Sequence, residues 1–156
     1  MYGIRSKYYS GIEDAVLMKK EMWYMLARIA WNKSLSENFF YMRFVLPYKV
    51  EAVPGQFVMV NVKKNYDPLL PRPFSIAYSE GNKLDIIFEV KGKGTSIMSH
   101  MEKGENLIVT GPLGRGFSGN DREKSPVFVA GGIGLPPVLY YIKKLIKEGF
   151  DKNKRC

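Results

Sequence analysis

From Met22 onward, apolar and polar positions alternate in short runs broken by turn residues, a strand pattern rather than a helical one. Trp23–Trp31 is the first strand expected, followed by the polar, turn-like stretch Asn32–Asn38. Phe39–Leu46 is a second strand, stopped by Pro47. Gln56–Val62 follows the turn signal Pro54-Gly55, and the loop Lys63–Pro71 holds Pro68 and Pro71. Pro73–Tyr78 and Lys83–Val90 flank Ser79-Glu80-Gly81-Asn82, which reads as a hairpin turn. Along Lys83–Val90, period-2 alternation puts Leu84, Ile86, Phe88 and Val90 on one face, with Asp85, Glu89 and Lys91 on the other. Thr95–Met101 reads as a short helix with Thr95 as N-cap. Glu105–Thr110 is a sixth strand, closed by Gly111-Pro112. Six short strands within roughly 90 residues predict an antiparallel barrel or sandwich.

The pattern changes after Ser118–Ser125, a polar stretch expected to be a linker. Pro126–Ala130 reads as a buried strand, Gly131-Gly132-Ile133-Gly134 as a glycine turn, and Pro136–Glu148 as an apolar-faced helix ended by Gly149. One strand–turn–helix unit is the opening of a parallel sheet, and a lone parallel strand cannot satisfy its edges. The second domain is therefore expected to be incomplete in this sequence, or completed by another chain. The expected division is an extension over 1–21, in which Ile12–Lys20 could form a short helix, a barrel over 22–120, and the start of an α/β domain over 121–156.

Composition narrows the chemistry. With 46% apolar and 25% charged residues in a 156-residue chain, the profile is globular. Cys156, at the last position, is the single cysteine, so a disulfide within the chain and a site built from several of its own thiolates are both excluded. His100 is the single histidine and reads as a surface helix residue, so no metal-ligand spacing exists. No Ser–His–Asp arrangement is evident. No apolar run is long enough for a membrane span and no secretory signal is visible, so the expected setting is cytoplasmic, without a membrane partner. The net charge of +9 is spread along the chain, with a mild concentration in Lys143, Lys144, Lys147, Lys152, Lys154 and Arg155. That reads as a solvated helix face rather than a nucleic-acid footprint, and suits an anionic cofactor or an acidic partner equally.

Four constellations could carry function. In Arg72-Pro73-Phe74-Ser75, the guanidinium is a planar fork for phosphate, Phe74 offers a ring face, and the Ser75 hydroxyl can donate to a ring nitrogen. Alternation puts Arg72 and Phe74 on one side and Ser75 on the other, so a flat cofactor reached by all three would wrap the strand end. The same residues also fit a surface arginine, a core phenylalanine and a strand serine. Gly92-Lys93-Gly94-Thr95-Ser96 lets backbone approach an anion before a helix, or forms an ordinary turn and cap. Gly131-Gly132-Ile133-Gly134-Leu135-Pro136-Pro137 suits a dinucleotide pyrophosphate or tight packing, with Pro137 standing where the full fingerprint has its last glycine. Gly111-Pro112-Leu113-Gly114-Arg115-Gly116-Phe117 could pack on a ligand or simply turn the chain.

The order of these motifs, beginning with Pro54-Gly55-Gln56-Phe57, resembles the ferredoxin-reductase-like flavoprotein superfamily. Within it the chain is similar, from about Met22 to Phe150, to the electron-transfer subunits of NAD-dependent dihydroorotate dehydrogenases. The resemblance implies a six-stranded antiparallel FAD-binding barrel followed by an incomplete parallel α/β nucleotide-binding domain. It implies that Arg72, Pro73, Phe74 and Ser75 line the flavin and its pyrophosphate, with Ser75 the residue assigned to catalysis. It implies that Ile87, Phe88 and Glu89 contact the flavin, that Gly94 and Thr95 bind the pyrophosphate, and that Gly131, Gly132 and Gly134 face NAD. Glu89 stands where many relatives carry arginine. The family's cysteine-rich segment for a [2Fe–2S] cluster has no counterpart in this sequence. The implied partner is an FMN-containing dihydroorotate dehydrogenase catalytic subunit, assembled as a heterotetramer, with electrons passing in the full family protein from FMN through the cluster to FAD and then NAD in pyrimidine biosynthesis. Two alternatives stand beside it: a reductase subunit with another donor (ferredoxin, sulfide or hydrogen), and a non-catalytic flavin-binding or interaction module.

Overall fold

A computed structural model describes residues 24–62, 70–117 and 126–149. The expected extension, most of the Lys63–Pro71 loop, the Ser118–Ser125 linker and Cys156 lie outside them. Six strands form a closed barrel: β1 (Tyr24–Ser34), β2 (Phe39–Val45), β3 (Phe57–Asn61), β4 (Arg72–Glu80), β5 (Lys83–Glu89) and β6 (Asn106–Leu113). Their order around the barrel is β1-β2-β5-β4-β3-β6, and every neighbouring pair is antiparallel. Closure gives every strand a neighbour on both sides over at least part of its length, which explains how short strands suffice. Helix α1 (Lys93–Ser99) lies between β5 and β6, and helix α2 (Leu135–Lys147) packs on the outer side of β4.

The inward faces follow the alternation. Ile29, Met42, Phe44, Val58, Val60, Ile76, Leu84, Ile86, Phe88, Leu107 and Val109 are all buried in one cluster, and Met98 of α1 joins it. The Asn32 side-chain amide donates to the Met98, Ser99 and Met101 carbonyls at 2.9, 3.2 and 3.0 Å, which ties the exposed carbonyl end of α1 to β1.

Strand ends depart from expectation wherever a bulge breaks the period of two. The β1–β2 register shifts between Ile29 and Trp31, so β1 continues through Asn32 to Ser34 instead of turning at Asn32. The β4–β5 register shifts between Ile76 and Tyr78, and β4 continues to Glu80. Because Glu80 pairs with Lys83, the hairpin turn is Gly81-Asn82 alone rather than four residues. Strand β6 runs through Gly111-Pro112 to Leu113 instead of stopping there. Gly111, at φ 143°, sits in the third bulge, where an added Cβ would meet Val58 Cγ1 at 3.0 Å.

On the outer face of β5, where alternation places Asp85, the carboxylate is covered. Asp85 is fully buried. Its carboxylate accepts from Arg43 Nε at 2.6 Å and Nη2 at 2.8 Å, and from the Tyr41 hydroxyl at 2.7 Å. Burial first, and then the hydrogen bond to Asp85, push the Tyr41 phenol above its ordinary value of 10.0. A raised folded-state value favours the neutral phenol, so this stabilisation is complete below about pH 10 and is lost as pH climbs beyond it. Chemical denaturation is expected to show stability falling from pH 9 to 11, with a smaller fall in Tyr41→Phe; equal falls would contradict it.

The opening of the second unit also differs. Pro126–Ala130 forms no strand, and Val127 and Val129 are 86% and 90% exposed. A parallel ladder needs a neighbour delivered by a crossover of about a dozen or more residues. No such neighbour lies among the described residues. The helix matches its predicted span within one residue at each end, with Pro136 and Pro137 in its first turn and Gly149 beyond its end at φ 85°.

Candidate functional site

Strand β4 changes partner along its length. Its first half, Arg72–Ser75, pairs with β3 from Val60↔Arg72 to Phe57↔Ser75. Its ladder with β5 starts only at Ile76↔Ile86. The end of β5, Ile87–Glu89, pairs with β2 on its other side. The two strands therefore diverge, and the facing backbone edges of Arg72–Ser75 and Ile87–Glu89 are not joined by a ladder. Backbone groups left out of a ladder are ready donors and acceptors for a ligand.

Arg72 closes one side of this opening. Its Nη1 donates to the Leu70 carbonyl at 2.7 Å, leaving the other guanidinium N–H groups for a second partner. The guanidinium lies against Gly94 in α1: a Cβ added there would overlap Arg72 Cζ. Two motifs that the sequence could not place relative to each other are thus in contact, and the glycine is what makes room.

Phe74 is buried and packs edge-to-face on Phe88, centroids 5.9 Å apart, so both rings belong to the barrel interior. What they present outward is backbone rather than a ring face. Ile87 is buried too, and Glu89 pairs with Lys91 at 3.0 Å on the surface. Pro73 is exposed beside half-buried Ser75, whose hydroxyl has no hydrogen-bond partner among the described residues.

Thr95 is not the N-cap. The helix starts at Lys93 after Gly92, and Thr95 stands in its first turn. Its hydroxyl accepts from the Lys91 and Gly92 N–H groups at 3.0 and 3.2 Å and donates to the Gly92 carbonyl at 3.0 Å. The side chain therefore ties the approach to the helix, and only its backbone remains for an anion.

The glycine turn Gly132–Gly134 forms a 3₁₀ turn beside β5. Gly131, Gly132 and Gly134 are exposed, and a Cβ added to any of them would touch nothing. Packing does not account for them. By contrast, the Gly111–Phe117 motif turns the chain: the Phe117 N–H donates to the Pro54 carbonyl at 2.8 Å, and Gln56 Nε2 to the Gly114 carbonyl at 3.0 Å. A Cβ on Gly55 would stand 2.8 Å from Phe117 N. The Pro54–Phe57 and Gly111–Phe117 motifs thus lock each other.

His100 is exposed at the end of α1, with Nδ1 2.8 Å from the Ser96 carbonyl, as a surface histidine should be. Among the described residues no group of three or more His, Cys, Asp or Glu could hold a metal, and no helix is long and apolar enough to cross a membrane. Sequence reasoning missed the Tyr41–Arg43–Asp85 cluster and the aromatic corner of Tyr78 and Tyr140, whose rings are 5.9 Å apart. An arginine and an aspartate inside apolar strands were the signal for the first; nothing local marks the second.

Residues 27–117 match the family model described as the oxidoreductase FAD-binding domain. The chain is 37% identical over 123 residues to the dihydroorotate dehydrogenase B (NAD+) electron transfer subunit of Caldanaerobacter subterraneus subsp. tengcongensis, covering 79% of this chain and 48% of that protein. It is 40% identical over 114 residues to the subunit of the same name from Desulforamulus reducens, covering 71% and 44%. The chain thus spans about half the length of the curated relatives it matches. The fold is shared with the ferredoxin reductase in carbazole 1,9a-dioxygenase (TM-score 0.71, 19% identity, 81% of this chain and 40% of that one). It is shared equally with phthalate dioxygenase reductase (TM-score 0.68, 23% identity, 81% and 41%). A closed six-stranded antiparallel barrel, the motif order upon it and a model match over more than half of the chain agree: the chain belongs to the oxidoreductase FAD-binding domain family.

Proposed function

We propose that the barrel holds FAD across the divergence of β4 and β5, and that the chain is the flavin-bearing part of an electron-transfer subunit. The observation that carries this reading is the seating of the Arg72 guanidinium on Gly94. It gathers a permanent cation and the start of α1 at one point, the arrangement a pyrophosphate requires. The residues fit the cofactor in three further respects. Backbone edges at Arg72–Ser75 and Ile87–Glu89 are open to a planar ring with donors and acceptors. The Ser75 hydroxyl has no partner among the described residues. Gly131, Gly132 and Gly134 stay bare beside β5, where a nicotinamide dinucleotide could approach.

FAD supplies the exchange of electron pairs and single electrons between donor and acceptor. The protein's own part is to bind and orient. Arg72 neutralises phosphate charge, Gly94 keeps the guanidinium seated, Thr95 holds the Lys91–Gly92 backbone in place, and Ser75 donates to the ring edge. Phe74 and Phe88 form the rigid floor beneath. By similarity to the named relatives, the donor is the FMN of a dihydroorotate dehydrogenase catalytic subunit and the acceptor is NAD+. A second unit beginning near residue 121 would carry the NAD site.

Reconstitution tests this. FAD added to purified protein is expected to be retained on gel filtration and to be reduced anaerobically by dihydroorotate only when the FMN-containing subunit is present. Protein that never retains flavin overturns the site. Flavin retained but reduced equally well by a ferredoxin-dependent donor, and not through the FMN subunit, overturns the assigned partner alone. Arg72→Ala is expected to weaken FAD by about 1.5–3 kcal/mol, the range of a charge-assisted hydrogen bond, in a flavin fluorescence titration. Unchanged affinity would remove Arg72 from the site.

A further inference from the structure

A cavity of about 570 Å³ lies between α2 and the outer wall of the barrel, within the size range of small-ligand sites. It sits beyond the Ile76/Tyr78 bulge, on the half of β4 remote from Arg72. The bulge turns Tyr78 to the outer face, where its ring meets Tyr140 at 71° to make an aromatic corner. The Tyr140 hydroxyl donates to the Ala52 carbonyl at 2.6 Å, which fixes that ring. Val53 and Ile146 add apolar wall, and both are about half exposed.

The cavity's charge is one-sided. Arg43, Lys143, Lys144 and Lys147 line it, and no carboxylate among the described residues does. Three of these cations have carboxylate partners outside the lining: Arg43 with Asp85 at 2.6 Å, Lys147 with Glu80 at 2.8 Å, and Lys144 with Glu148 at 3.8 Å. Lys143 has no ion pair among the described residues. Its ammonium stands 5.0 Å from the Tyr78 ring centroid and 6.0 Å from that of Tyr41, so its charge is held by rings and not by a described carboxylate. Arg43 commits Nε and Nη2 to Asp85, and its guanidinium stacks 5.2 Å from Trp31. Its Nη1 edge remains for another acceptor, at a guanidinium already fixed in orientation.

A fixed arginine edge and an ammonium held against aromatic rings recognise a dianion, and the tyrosine corner with Val53 and Ile146 recognises a flat apolar body. We propose that this cavity binds a small aromatic phosphate, its phosphate on Lys143 and Arg43 Nη1 and its ring against Tyr78, Tyr140, Val53 and Ile146. The site stands apart from the flavin opening and does not depend on that reading.

Calorimetric titration of the protein preloaded with FAD, using phenyl phosphate and inorganic phosphate as probes, tests it. Phenyl phosphate is expected to bind one to one without releasing flavin, and about tenfold more tightly than inorganic phosphate because apolar contacts add to the charge. Lys143→Gln changes an exposed side chain and is expected to weaken both probes about tenfold. Ile146→Ser is expected to weaken phenyl phosphate alone. Lys103→Gln, on an exposed turn elsewhere, is expected to change neither. Absence of binding, binding unaltered in Lys143→Gln, equal affinity for the two probes, or release of FAD would each overturn the proposal.

Discussion

Replacing Asp85 with alanine is expected to destabilise the barrel by about 3 kcal/mol, the lower end of what breaking a buried ion pair costs. The lower end applies because the Arg43 side chain keeps 26% of its surface exposed and can recover water, while Asp85 has none. The variant removes the acceptor of two guanidinium N–H groups and of the Tyr41 hydroxyl at once. Tyr41 then suffers most, since its hydroxyl has no other partner among the described residues and its ring is held between Trp31, at 4.8 Å, and the covering Lys143. Urea denaturation should show the loss in the midpoint with an unchanged slope. The double variant Asp85→Ala with Arg43→Met should cost less than the two single losses added, because both remove the same network. A loss under about 1 kcal/mol, the range of an exposed pair, would contradict the burial of this carboxylate.

Gly94→Ala is expected to weaken FAD by as much as Arg72→Ala while leaving the fold near wild-type stability. The added Cβ would overlap Arg72 Cζ and Nε, so one group must leave. The guanidinium is the end of a long, flexible side chain at the surface, and it moves at little cost to folding. Alanine is also the better helix former, which offsets part of any strain. The consequence falls on the site: the displaced cation no longer stands where a phosphate would lie beside α1. Flavin affinity is expected to fall about 10- to 100-fold, with a melting temperature close to wild type. The double variant with Arg72→Ala should bind no worse than Arg72→Ala alone, since the methyl then has nothing left to displace. Full additivity would show that Gly94 acts through the backbone and not through Arg72.

Much of the fold was legible because it rests on local periodicity. Strands β2, β3 and β5 and helix α2 match their predicted spans within one residue at either end, since each has an apolar stripe bounded by a turn former or breaker. The misses have one cause in common. Strands β1, β4 and β6 run on past their expected ends because each contains a bulge, and a bulge reverses the inside–outside pattern that period-2 reading depends on. The burial of Asp85 was not legible for a related reason. A charged side chain on the outer face signals solvent unless another strand brings a counter-charge, and Arg43 comes from the neighbouring strand. Thr95 was read as a cap because its type and its place before an apolar run fit one. Its hydroxyl instead holds the turn that precedes the helix.

The candidate site divides in the same way. Arg72-Pro73-Phe74-Ser75, Gly92–Thr95 and Gly131–Gly134 could each be picked out by residue type, because a guanidinium, a missing Cβ and a helix start carry their chemistry wherever they stand. Their convergence could not be read, since it depends on β4 and β5 parting at Ile76 and on α1 folding back over Arg72. The amino-acid order by itself determined the strands, the main helix, the glycine-bearing turns and the motif series that marks the family, all of them consequences of interactions between near neighbours. Only the closed barrel decided which of those motifs meet, which aromatic rings are floor rather than platform, and which aspartate is buried. Those outcomes depend on contacts between residues far apart in the chain, and no local pattern contains them.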